Sequence, residues 1–173
     1  PKGFVSAAFL AELKNCRDAN MLVVCAAGNA TNDNDVNLTF PGNYSTYIDN
    51  IISVGSSTAS DEPSFFSNYG RRSVNIFAPG SDIYSVNRGG GYTMKSGTSM
   101  ATPLVAGLIA LIKAQDLSLK PDEIKSLLQS TGPKISIETA CDCRVDAFEA
   151  IDAVKAKKMF VHPNAGTFAT GAK

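Results

Sequence analysis

From Leu104 to Ile112 the chain carries no charged or polar side chain, and the segment that leads into this run is Gly97-Thr98-Ser99-Met100-Ala101-Thr102-Pro103. An apolar run of that length, bounded by small and hydroxyl residues, predicts a buried helix whose N-terminus is reached from a turn and a short strand, Gly89-Gly90-Gly91-Tyr92-Thr93-Met94-Lys95-Ser96. Ser99 therefore falls at the helix N-terminus. Unpaired backbone N–H groups and the positive end of the helix dipole gather there, and both favour negative charge developing beside a hydroxyl nucleophile. The plainer alternative is that Thr98 or Ser99 only caps the helix, since Ser, Thr, Asp or Asn before an apolar run suffices for that.

The heptapeptide resembles the nucleophile motif of the subtilisin-like serine proteases, a resemblance in which Ser99 is the catalytic serine. Upstream, Met21-Leu22-Val23-Val24-Cys25-Ala26-Ala27 reads as a short buried parallel strand that ends in Gly28-Asn29. Ala26-Ala27-Gly28-Asn29 resembles the oxyanion segment of the same family. The resemblance implies that Asn29 donates its side-chain amide to the tetrahedral intermediate, together with the Ser99 N–H. Without it, Asn29 would read as a residue that tolerates a left-handed turn. Phe40-Pro41-Gly42-Asn43-Tyr44, Ile51-Ile52-Ser53-Val54-Gly55, Phe65-Phe66-Ser67-Asn68-Tyr69-Gly70 and Ile76-Phe77-Ala78-Pro79-Gly80 continue the match in order, from about Val5 to about Val154.

A serine hydroxyl needs a base to take its proton and a carboxylate to orient that base. The family places both upstream of the oxyanion asparagine, in a His-Gly-Thr-like segment and an Asp-[Ser/Thr]-Gly strand end. Neither occurs here, and only twenty-eight residues precede Asn29. The one histidine, His162, stands before Pro163. The expectation is a serine endopeptidase acting on polypeptide substrates, of which this chain holds the C-terminal portion of the catalytic domain and is inactive alone. The missing N-terminal portion of the same domain would be its partner. Two alternatives stand beside it. One is a non-catalytic pseudoprotease that serves as a binding module. The other is an α/β-hydrolase whose chain order Ser99, Asp142 or Asp146, then His162 approaches a nucleophile-elbow triad.

Helical and strand patterns alternate along the 173 residues, which predicts an α/β fold with a mostly parallel sheet between helices, as in three-layer subtilisin-like domains. Residues 1–160 are expected to be one portion of a peptidase domain and 161–173 a disordered tail. Helices are expected over Ser6–Ala19, Met100–Ala114 with Pro103 in its first turn, from Pro121, and over Val145–Lys157 with Val145, Phe148, Ile151 and Val154 on one stripe. Between Gly28 and Asn50 the chain reads as loop, with Thr31–Asp35 as its most mobile part.

Sixteen basic and sixteen acidic residues cancel, so nothing points to nucleic acid, and no apolar run approaches membrane-spanning length. Thr31-Asn32-Asp33-Asn34-Asp35 is oxygen-rich but lacks EF-hand spacing, and is read as a solvated loop. No cofactor is expected for the chemistry. The resemblance implies a structural Ca2+ in the complete protein, with a weaker cation site near Pro41–Tyr44. Cys25 reads as a buried small hydrophobe, while Cys16, Cys141 and Cys143 are left as free or paired; Cys141-Asp142-Cys143 is too tight for the usual zinc spacing. Asn29, Asn37 and Asn43 each begin a glycosylation sequon, and family habit suggests a secretory route.

Overall fold

The computed structural model describes residues 5–161; of the tail expected over 161–173, Val161 instead ends the last helix, and 162–173 lie outside the described residues. Three parallel strands, β1 (Val23–Ala26), β2 (Ile51–Ser57) and β3 (Ile76–Pro79), form one sheet in the order β1-β2-β3. Val23 pairs with Ile51 and Val54 with Ile76, so alternate residues face opposite sides. Ile52, Val54, Ile76 and Ala78 pack against α2 (Thr98–Gln115), α3 (Pro121–Thr131) and α4 (Ala147–Val161). Cys25 and Ile51 pack on the other side with Leu13 of α1 (Ala7–Asp18) and Tyr44. Helices cover both faces, which is why β2 is buried at every position. Each fully buried Ile or Val contributes about 1.5–3 kcal/mol, and Ile51, Ile52, Val54 and Ile76 supply four such residues on two strands.

The predicted α/β fold is found, with adjusted boundaries that have local causes. α1 starts at Ala7 because Ser6 caps it, its hydroxyl accepting from the Phe9 amide at 3.2 Å. α2 starts two residues before the expected Met100, at Thr98, so Pro103 lies in the second turn rather than the first. Proline there withholds the N–H that the Ser99 carbonyl would otherwise accept. α4 starts at Ala147, since the Val145 amide is drawn to the Phe77 carbonyl at 2.9 Å and Asp146 accepts the Glu149 amide at 3.0 Å. The expected stripe on α4 is also corrected. Ala150 and Val154 are buried, whereas Phe148 is 74% exposed.

The Gly28–Asn50 connection is more ordered than its composition suggests. A 3-10 helix over Gly42–Thr46 seats Tyr44 against Phe9 and Phe40, and the Tyr44 hydroxyl accepts the Ser6 amide at 2.9 Å. Thr31–Asp35, read as the mobile part, is anchored: Asn34 is fully buried and Asp35 accepts the amides of Arg72 and Ser73. The turn at Gly89–Gly91 joins β4 (Ile83–Val86) to β5 (Tyr92–Lys95) in an antiparallel hairpin. Gly55 on β2 lies opposite Phe77 on β3, and a Cβ at Gly55 would fall 2.3 Å from the Phe77 ring. That ring is fully buried in the space the missing side chain leaves.

Cys141 and Cys143 form a disulfide, which settles their state and removes both sulfurs as zinc ligands; Cys25 is buried and free, and Cys16 is free. Burial pushes the Cys25 thiol up to about 11, as expected for a cysteine acting as a small hydrophobe.

Candidate active site

Ser99 is the second residue of α2 and is exposed, and Asn29 lies just beyond the end of β1. The fold brings them together through Thr98 and Gly97. Gly97 precedes the helix with its amide on the Gly80 carbonyl at 2.8 Å, and its φ of 159° is extended backbone. The fully buried Thr98 then donates both its amide and its hydroxyl to Asn29 Oδ1, each at 2.9 Å. The same hydroxyl accepts the Gly28 amide at 3.2 Å.

This arrangement orients the Asn29 amide. A backbone N–H can only donate, so the atom facing Thr98 is the oxygen and the opposite atom is the NH2 group. Nδ2 has no hydrogen-bond partner among the described residues, and a Cβ built on Gly97 would lie 3.4 Å from it. Its two N–H donors are thus held beside the first turn of α2, where the Ser99 amide also lacks an intrahelical acceptor. Two donors and a hydroxyl are gathered at the positive end of an 18-residue helix dipole. Thr98 was not singled out by the sequence except as a cap. A threonine directly before a candidate nucleophile is the only local signal that it holds the partner.

No described residue offers Ser99 a general base, and His162 lies outside the described residues. The two aspartates of the α/β-hydrolase alternative are engaged elsewhere. Asp142 receives the Arg71 guanidinium on both oxygens at 3.1 Å, and Asp146 caps α4.

The chain matches the profile of the subtilase family over residues 2–156. It belongs to that family. Among the relatives of this subtilase chain, thermitase of Thermoactinomyces vulgaris is 42% identical over 132 residues, which are 75% of this chain and 44% of thermitase. The cell wall-associated protease of Bacillus subtilis (strain 168) is 41% identical over 69% of this chain and 12% of its own length. Among solved structures, a cold adapted subtilisin-like serine proteinase superimposes with a TM-score of 0.67 at 35% identity, over 83% of this chain and 50% of that one. The self-cleaved protease domain of PatA gives 0.75 at 29% identity, over 90% and 58%. The chain therefore spans less than half of those curated relatives and 50–58% of those solved chains.

Family membership replaces the α/β-hydrolase alternative. Of the three sequon asparagines, Asn43 is 1% exposed and bonded to the Thr39 amide and the Asn34 carbonyl, which bars it from modification in the folded chain. The subtilase α2 is also, by length and composition alone, apolar enough to cross a membrane, contrary to the expectation that no run would be. It packs one side on the sheet and on α4, as the central helix of a folded domain does.

Proposed function

We propose that this chain is the C-terminal portion, residues 1–160, of a subtilisin-type serine endopeptidase domain that hydrolyses polypeptides through an acyl-enzyme on Ser99. The observation that carries this reading is the double hydrogen bond from Thr98 to Asn29 Oδ1, which turns Nδ2 toward the Ser99 turn. Ser99 Oγ attacks the scissile carbonyl carbon, and the carbonyl oxygen takes up negative charge beside Asn29 Nδ2 and the Ser99 N–H. A base from polypeptide outside this chain receives the hydroxyl proton and returns it to the leaving amine. Water then cleaves the ester and restores Ser99. Removing an oxyanion donor of this kind costs about 10²–10³ in kcat, as found in a subtilisin.

The outer side of α2 supports the idea that further polypeptide packs here. Leu104 and Leu111 are 44% and 55% exposed, and a Cβ on Gly107 would touch nothing within 4 Å. In this reading the N-terminal portion of the domain covers that face and brings the histidine and aspartate. The chemistry needs no cofactor, and a structural Ca2+ would belong to the complete protein. Three Thr31–Asp35 side chains spend oxygens on the protein itself: Asp33 Oδ1 accepts the Asp35 amide, Asn34 Oδ1 accepts from Asn32 and Asn68, and Asp35 accepts from Arg72 and Ser73. The Pro41 and Tyr44 carbonyls already accept backbone amides. The Cys141–Cys143 disulfide suits an oxidising, secretory compartment.

Fluorophosphonate labelling tests the reading. The isolated chain should not label, while the full-length protein should label and lose labelling on Ser99→Ala. A full-length protein that stays unlabelled would favour the pseudoprotease instead.

A further inference from the structure

Asn29 is exposed, follows a glycine of φ +112° and stands two residues before Thr31 at φ +51°. Besides Thr98, the main chain around it is held by the segment that carries Asn68, where Thr31 also donates its amide to the Phe66 carbonyl at 3.0 Å and its hydroxyl to the Phe65 carbonyl at 2.8 Å. Asn68, 1% exposed, accepts the amides of Ala30 at 2.8 Å and Asn32 at 3.1 Å on Oδ1. Its Nδ2 donates to the Ala27 carbonyl at 3.0 Å and to Asn34 Oδ1 at 3.0 Å, with a longer contact of 3.4 Å to Thr39 Oγ1. Its backbone amide donates to the Gly28 carbonyl at 2.9 Å. Asn68 thus bonds the main chain on both sides of Asn29. Its closeness also explains Gly28, where a Cβ would fall 2.4 Å from Asn68 Nδ2.

We infer that Asn68 is a positioning residue for the oxyanion donor, acting through the backbone that carries Asn29. The inference rests on the function proposed above. Thr98 holds the Asn29 side-chain oxygen, and Asn68 holds the peptides flanking the Asn29 Cα; together they fix the amide against the place where charge develops. An asparagine suits the task because one planar group offers an acceptor to two amides and donors to the carbonyl before them. The geometry matters because a donor serves an oxyanion only at about 2.7–3.1 Å, and a displacement of about 1 Å can cost roughly 10²-fold in rate.

The test is a double-mutant cycle in the full-length protein with Asn29→Ala, Asn68→Ala and the pair, reading kcat and KM on a peptide substrate. Asn68→Ala should lower kcat by about 10-fold or more with a smaller change in KM, and by less than about twofold when Asn29 is already alanine. An equal loss in both backgrounds, or no loss in either, would overturn the positioning role. Asn68→Ser, neutral and polar but too short to reach Ala30 and Asn32, is put through the same cycle with the same expected outcomes if the alanine variant does not fold. Failure of the underlying reading has a different signature: Asn29→Ala alone would then leave kcat unchanged, and the role of Asn68 would fall with it.

Discussion

The Asn29 side-chain oxygen accepts two hydrogen bonds from a single residue, the amide and the hydroxyl of Thr98, at 2.9 Å each. The backbone contribution survives a change to valine, while the hydroxyl contribution does not. Thr98→Val in the full-length protein should therefore weaken the hold on Asn29 without releasing it, lowering kcat by about 10-fold, near 1.4 kcal/mol of transition-state stabilisation, with little effect on KM. Steady-state kinetics on a peptide substrate decide it, and an unchanged kcat would show that the amide alone orients Asn29.

Gly28→Ala should harm the site from the opposite side. A Cβ there meets Asn68 Nδ2 at 2.4 Å and Cγ at 3.1 Å, on a backbone of φ +112° that a side chain rarely adopts. Crowding and backbone strain of this kind cost about 1–3 kcal/mol. The denaturant midpoint should fall, and kcat should fall further than the stability loss explains, because the displaced group flanks Asn29.

The bare side of α2 yields a prediction that separates an assembled domain from an isolated chain. Leu104→Asp and Leu111→Asp change residues that are exposed here, so a chain with nothing on that face should lose no more than about 0.5 kcal/mol. In the full-length protein each should cost about 2–4 kcal/mol, the burden of forcing a polar group into a packed contact. Unfolding of the full-length variants by urea measures this directly, and near-neutral changes would mean that no polypeptide covers α2.

Asp35 makes stability depend on acid. Burial works to raise its pKa, but hydrogen bonds from Ser73 and the Arg72 amide and the Arg72 charge outweigh it, so the carboxyl titrates below its usual value. A group depressed on folding contributes fully above its unfolded pKa of about 3.9 and loses that contribution as pH falls through the lower folded value. Asp35→Asn should thus cost about 1.5–3 kcal/mol at neutral pH, the range for hydrogen bonds to a charged acceptor. The gap to the wild type should close below about pH 3.9. Urea unfolding of both proteins across this range provides the check.

The features legible in the sequence were those written locally. The apolar run after Pro103 announced a buried helix, β1 followed from Val23 to Ala26, and the Gly97–Pro103 motif identified the family. Those that stayed hidden depend on distant partners. Asn34 and Asp35 looked like solvated loop because their burial is created by Ala27, Asn68 and Ser73, 7 to 38 residues away. Thr98 resembled an ordinary cap because its partner stands 69 residues upstream. Phe148 shared the spacing of buried neighbours yet points outward, since a stripe on a helix does not say how wide the opposing surface is.

The empty position at Gly55 does more than admit the Phe77 ring. Side chains alternate with a period of two, so sliding β3 by two residues along β2 would preserve the buried and exposed faces and is the slip that hydrophobic pattern alone cannot prevent. It would set the ring against Ser53 or Ser57, both of which carry a side chain. One absent methyl thereby acts as an index mark for strand alignment. Ser57 accepts the Gly80 amide, and Gly80 in turn accepts the Gly97 amide. The start of the helix that carries Ser99 is therefore measured from the middle of the sheet, two hydrogen bonds and one missing carbon away.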